Sequence, residues 1–395
     1  MRQSIPLLIL ILLSAGAFAQ KGAPEKSIVN INHSTNYAQH VDFSPTMLSQ
    51  LKTYPGFKVS IAASGLGKPR VLCLLSPNKL YISRRDAGDI LLLTDLDGDH
   101  HFDELKTVVS DFKGVHGLAL RDGWLYACNN RELKRFHIDV DGLLGEEQLL
   151  INDLPDGGQH PNRTIGFGPD GKLYLSVGST CNDCFDSNKE NATMLQIDPL
   201  TWKRVVYARG LRNTIGFDWS PADQQMYGAD NGGDAKGDAW PPEELNRIQQ
   251  DKDYGWPLVY GKQEVDNTRE EPMGTSKDAY AKLTEPSLLE FPAHAAPMSF
   301  KFLNAASDLP ATLKDDALVC WHGSWNRKDP SGFKVQIIHF ENGKPVNAED
   351  FLSGFYNPTT RTRFGRPFGL AIAADGAIYI SDDANGVLYC VTSAR

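Results

Sequence analysis

The chain has 395 residues, 41% hydrophobic and 23% charged, proportions of a soluble globular protein with room for one large domain or several ordinary ones. A formal net charge of −9 argues against a nucleic-acid surface, which needs a basic patch. No stretch approaches the roughly 20 apolar residues of a membrane-spanning helix, so no membrane span is expected.

The N-terminus reads as an export signal over residues 1–19. Arg2 supplies the positive end, residues 5–13 the apolar run, and Ala17-Phe18-Ala19 the small-residue cleavage site. This predicts a periplasmic or secreted protein, cleaved near Ala19. Residues 20–55 are polar and read as an N-terminal arm.

From Phe57 onward a strand–turn–strand unit recurs, with tyrosines at 81, 126, 174, 227 and 379. A spacing of roughly 45–50 residues with this content is that of propeller blades. The six copies begin at Arg70, His116, Arg163, Asn213, Pro297 and Pro367. In the third, Gly168-Pro169-Asp170-Gly171 supplies the turn: proline presets φ and glycine accepts a positive one. The predicted fold is all-β, a six-bladed β-propeller of four-stranded antiparallel blades over residues 56–395. A polar insertion is expected at about 232–293.

Loops that enter the inner strands of a propeller converge on its central channel. The residues in that slot are Arg70, His116, His160 with Arg163, Arg212 with Asn213, His294 and Arg366. Arginines and histidines in one place suit an anionic ligand, because guanidinium binds carboxylate bidentately. His160 is the candidate base, since imidazole titrates near neutrality. No G-x-S-x-G, H-E-x-x-H, P-loop or G-x-G-x-x-G signature accompanies it.

Two polar clusters suit calcium: Asp230-Asn231-Gly232-Gly233-Asp234 with Glu243, Glu244 and Tyr254, and Asp95-Leu96-Asp97-Gly98-Asp99. The second lacks the glycine and glutamate of a complete calcium loop and reads as an acidic turn. Cys181 and Cys184 are spaced for a local disulfide in an exported protein, whereas the other four cysteines sit in apolar strands.

These residues resemble the soluble pyrroloquinoline quinone (PQQ)-dependent sugar dehydrogenases, nearest to the sorbosone dehydrogenase-like and pyranose dehydrogenase branch. The resemblance is carried by residues 160–184, Gly210-Leu211-Arg212-Asn213, Asp230-Asn231-Gly232, Pro242-Glu243-Glu244-Leu245-Asn246 with Tyr254-Gly255-Trp256-Pro257, His322-Gly323-Ser324-Trp325-Asn326-Arg327, and Gly365-Arg366-Pro367-Phe368-Gly369. It implies an oxidoreductase that moves a hydride from a sugar or aldehyde to PQQ and passes the electrons to an external quinone, cytochrome or dye. His160 falls on the catalytic base. His116, Arg163, Arg212, Asn213, Arg327 and Arg366 fall on or near contacts to the cofactor. Gly232, Gly233, Glu244 and Tyr254 match calcium sites. Two positions depart from the glucose-oxidising branch: Gln159 stands where an acid precedes the base, and Phe368 near a second arginine. A propeller lactonase and a non-catalytic binding propeller are the alternatives.

Overall fold

A computed structural model describes residues 34–303 and 309–394 of the protein. The expected export signal, with its cleavage site at Ala19, lies outside the described residues.

The expected all-β class is what the chain adopts, with one short α-helix at Lys277–Ala281 among the described elements. The expectation of a six-bladed propeller of uniform four-stranded blades is corrected. Among the described residues the strands fall into eight separate sheets, with no closed propeller or barrel. Hydrogen bonding ends at the edges of each sheet. Five sheets have four strands, one has five, one three and one two.

The six larger sheets are antiparallel meanders that follow the sequence repeat. Their first strands are Leu72–Ser76, Leu118–Arg121, Ile165–Phe167, Thr214–Trp219, Pro297–Phe302 and Pro367–Ile372. Two sheets recruit strands from the N-terminal side. Lys52–Thr53 adds a fifth strand beside Lys344–Ser353, and Phe57–Ala63 pairs with Val387–Ser393 at the other end of the chain. Part of the segment read as an arm is therefore ordered in sheets: Gln39–His40 also pairs in parallel with Thr362–Arg363. The segment read as an insertion contains two strands of the fourth large sheet, Glu243–Ile248 and Leu289–Phe291. The sequence could not show this, because polar residues occupy a buried strand.

The apolar core lies between sheets rather than within one. Leu80, Ile82 and Leu91 of the first large sheet pack with Ala371, Tyr379 and Leu388 of the last. Tyr227, Ala229 and Leu245 pack with Phe300, Val319 and Trp321 of the next sheet. Burying side chains of this size is worth about 1.5–3 kcal/mol each. The first strands of the six sheets together line a cavity of 420 Å³.

Close approach at that cavity depends on missing side chains. A Cβ on Gly216 would lie 2.5 Å from the backbone nitrogen of Phe300 and 2.6 Å from the carbonyl carbon of Ser299, both on the neighbouring sheet. A Cβ on Gly369 would overlap the carbonyl oxygen of Arg70. Backbone cannot swing aside as a side chain can. Gly216→Ala is therefore expected to destabilise the protein by about 1–3 kcal/mol, the cost of overpacking, read as a lower midpoint in urea unfolding. An unchanged midpoint would show that the two strands separate freely.

Candidate functional site

Loops before or after the strands nearest the molecule's interior bring polar side chains around a second cavity, of 400 Å³. Arg70 and Arg85 come from the first large sheet. Gln159, His160 and Asn162 come from the third, Asn213 from the fourth and His322 from the fifth. Ile215, Met298 and Phe368 line both this cavity and the 420 Å³ cavity. These three residues form an apolar wall between the two spaces. The site is thus a pocket with an apolar face and a rim of arginine, histidine and amide groups, and among the described residues no carboxylate lines it.

His160 is oriented by its own loop. Nδ1 lies 2.7 Å from the carbonyl oxygen of Ser179 and 2.9 Å from its hydroxyl oxygen. A carbonyl only accepts, so Nδ1 carries the proton and the lone pair resides on Nε2. Burial, with Arg212 and Arg163 adding positive charge, pushes the imidazole down to about 3, and it is neutral at physiological pH. Gly178 packs against it: a Cβ there would lie 2.6 Å from Cβ of His160.

A buried carboxylate organises the opposite side. Asp383 accepts from His322 Nε2 at 2.7 Å and from Arg70 at 3.1–3.2 Å. His322 and Arg70 hold this carboxyl well below the usual carboxylate range even against burial. Arg366 donates to the carbonyls of His322 and Gly323, each at 3.0 Å, and burial lowers its guanidinium to about 10. Phe368 receives the Arg70 guanidinium over its ring at 4.6 Å, and the His322 ring meets it edge-on at 5.5 Å. Phe368 departs from the expected arginine, and here it supplies part of the cavity's apolar wall.

Of the residues expected to contact a cofactor, Asn213 lines the cavity with His160, and the lining does not include the others. Asp230 fixes Asn213 by accepting from the backbone of Arg212 and Asn213, each at 2.9 Å, and from the Thr214 hydroxyl at 2.6 Å. Arg212 donates to Asn182 and to the carbonyl of Asn231. Arg163 is fully buried, donating to the carbonyls of Pro155, His160 and Asn162, which ties down the loop that carries His160. His116 is also fully buried and packs edge-on against Phe368, with neither ring nitrogen hydrogen-bonded. Arg327 donates to the carbonyl of Ala293 at 3.2 Å.

The expected calcium residues do not share one point through their side chains. Glu244 is buried and accepts from Gly261 N at 2.6 Å and from Asn246 at 3.0 Å. The Tyr254 hydroxyl donates to the carbonyl of Arg247. Gly232 donates its N–H to Glu243 at 2.7 Å, and the Lys236 chain lies beside Gly233. The expected ligands at the first calcium site are the backbone groups of Gly232 and Gly233, and at the further site Glu244 with the Tyr254 carbonyl, which accepts no hydrogen bond among the described residues. The one cluster of potential metal-ligating side chains among the described residues is Asp95, Asp97 and Asp99. Asp95 is itself occupied by the backbone N–H groups of Asp97, Gly98 and His100.

Sequence reasoning missed the roles of His322, Asp383, Arg85 and Asp230. His322 belongs to a segment already singled out, so its histidine beside arginine was a usable signal. Asp383 gave none, because 313 residues separate it from Arg70. Cys181 and Cys184 are disulfide-bonded, and Cys73, Cys128, Cys320 and Cys390 are free.

The chain matches the TrAA12-like family over residues 51–394. An uncharacterized protein of Borreliella burgdorferi is 34% identical over 223 residues, 56% of this chain and 57% of that one. A pyrroloquinoline quinone-dependent pyranose dehydrogenase of Coprinopsis cinerea is 23% identical over 420 residues, 88% of this chain and 55% of that one. The chain thus spans about half the length of the curated relatives it matches. Its fold is similar to a calcium structure of a Trichoderma reesei carbohydrate-active enzyme of family AA12, with a TM-score of 0.76 at 20% identity, covering 87% of this chain and 97% of that one. The holo form of the Coprinopsis cinerea pyranose dehydrogenase PQQ domain gives 0.71 at 22% identity, with the same coverage. The chain belongs to the TrAA12-like family, whose model it matches over most of its length.

Proposed function

We propose that this protein is a PQQ-dependent oxidoreductase acting on a sugar or aldehyde. The observation that carries the reading is the 400 Å³ cavity with an apolar wall and a rim holding Arg70, Arg85, His160, Asn213 and His322. A flat aromatic ligand with several carboxylates fits that chemistry: Phe368, Ile215 and Met298 would offer its ring an apolar face, and Arg70, Arg85, His160, Asn213 and His322 would meet its carboxylates. When bound, PQQ supplies a quinone able to accept a hydride from the substrate carbon.

The remaining work falls to the chain. Ser179 holds the Nδ1 proton of His160 in place, so Nε2 is free to take the proton of the substrate hydroxyl. Arg163 keeps the His160 loop in register, and Asp230 keeps Asn213 at the cavity edge. The apolar wall keeps water off one side of the site. A lactonase needs channel carboxylates to hold a metal, and no carboxylate lines this cavity. Export to an oxidising compartment, the periplasm or the exterior, is part of the proposal and is supported by the Cys181–Cys184 disulfide. The electrons leave to an external acceptor.

Calcium enters the proposal through the backbone of Gly232 and Gly233 and through Glu244 with the Tyr254 carbonyl, and its role is read from the cofactor titration itself. PQQ is added with Ca²⁺ and, separately, with a chelator. The expected outcome is tight binding that weakens on chelation; binding indifferent to the chelator would remove calcium from the reading.

His160→Ala is expected to retain PQQ binding and to lose dye reduction with aldoses by about 10²–10⁴-fold, the usual contribution of a positioned base. No PQQ binding at micromolar protein with excess Ca²⁺ would sink the assignment.

In the protein without ligands, ¹⁵N NMR should find the His160 imidazole neutral down to below about pH 5, because burial lowers its pKa. A titration near the ordinary 6.5 would contradict the buried, carbonyl-anchored geometry.

A further inference from the structure

The cavity contains two imidazoles, and their surroundings differ in one respect. Nδ1 of His160 faces a carbonyl and a hydroxyl, and the charges nearest its ring are Arg212 and Arg163. The Ser179 carbonyl favours an imidazolium, but no carboxylate among the described residues contacts the ring. His322 instead has Nε2 against the ionised carboxylate of Asp383 at 2.7 Å. That contact places the proton on Nε2 and leaves Nδ1 without a hydrogen bond among the described residues. A second proton on Nδ1 would create an imidazolium already paired with a carboxylate.

Two opposing sets of charges face His322. Asp383 comes from the turn after the strand Ile378–Asp382, and Asp382, whose carboxylate is taken up by the Arg366 and Ala384 backbone and by Tyr389, stands beside it in the chain. Arg70 and Arg85 come from the first large sheet, and Arg366 from the segment before Pro367–Ile372. His116 lies across Phe368, and His160 shares the cavity. In the empty cavity burial dominates, with Arg366 next, and His322 is neutral above about 4. An anion with several carboxylates reverses that balance, because it neutralises the arginines that oppose protonation.

We propose that His322, held by Asp383, is a positioning residue that takes up one proton when a planar polycarboxylate occupies the cavity, so that the ligand and a proton bind together. The proposal rests on the reading of this cavity as a PQQ site and deepens it. The proton comes from solvent and ends on Nδ1 of His322; no bond in the ligand changes. The charged imidazolium adds a cation to the rim only when an anion is there to meet it. His160 stays neutral and available as a base. His116 is excluded from the exchange because it does not line the cavity and no carboxylate contacts its ring nitrogens.

The test is isothermal titration calorimetry of the full chain at about pH 7.5 in two buffers of different ionisation enthalpy, phosphate and HEPES, which reports protons taken up on binding. Two probes are titrated: PQQ, and benzene-1,3,5-tricarboxylate, which is planar and tri-anionic but has no quinone. The expected result is uptake of about one proton by the wild type, with affinity falling about tenfold per pH unit above neutrality. Uptake should vanish in His322→Gln. It should also vanish in Asp383→Asn, which keeps the imidazole and removes its carboxylate, and which decides the matter if His322→Gln fails to fold. Binding of either probe to the wild type without proton uptake overturns the proposal, as does undiminished uptake in both variants. Uptake with the tricarboxylate but no binding of PQQ leaves the proton role of His322 standing and removes the cofactor reading. Binding of PQQ without uptake does the reverse, and failure of both probes to bind overturns both.

Discussion

The buried carboxylate of Asp383 is the contact on which the candidate site depends. It accepts from His322 on one side and Arg70 on the other, and it stays ionised because both are cationic or able to become so. Without it, Arg70 and Arg366 would crowd positive charge into the pocket with no carboxylate to offset it. Breaking a buried pair by removing one partner typically costs about 3–5 kcal/mol, because the other charge is left stranded. Asp230 does comparable work for the fourth sheet by gripping backbone rather than cations. One carboxylate sets the electrostatics of the cavity, and the other sets the position of an amide at its edge.

The packing beneath the site answers to the same need for proximity. Side chains from different sheets meet around one cavity only if the strands under them come close. Gly216 and Gly369 permit that approach where any Cβ would strike a neighbouring backbone. The apolar wall of Ile215, Met298 and Phe368 then separates a polar space from an apolar one within a single residue's thickness. An anionic ligand on the polar side gains from the low local dielectric behind it, since charge interactions strengthen where water is excluded.

Several of the residues expected to contact a cofactor also brace the chain around the cavity. Arg163 and Arg212 were singled out because arginine suits carboxylates, and both also donate to loop carbonyls, Arg212 to the Asn182 side chain as well, while Arg163 Nε has no partner among the described residues. Arg366 braces the backbone of His322. Arginine has five donors in a rigid fork, and it holds a buried loop as readily as it holds a ligand. Residue type and local spacing do not separate the two uses, because the distinction depends on which carbonyls the folded chain brings within reach.

The sequence by itself determined the six strand–turn–strand copies, the disulfide spacing and the place of His160, because each is written in fewer than about 20 consecutive residues and obeys local rules of turn and strand chemistry. Tertiary structure alone decided three things. It divided the strands into separate sheets with recruited N-terminal strands and no closed ring of hydrogen bonds. It placed polar Glu243–Ile248 within a sheet, since buried partners such as Gly261 N and Gly232 N satisfy its carboxylates. And it assembled Arg70, His322 and Asp383, which lie as far as 313 residues apart, into one ion pair network. Such pairings follow from how sheets pack on one another, and packing is a property of distance in space that no local pattern in the chain encodes.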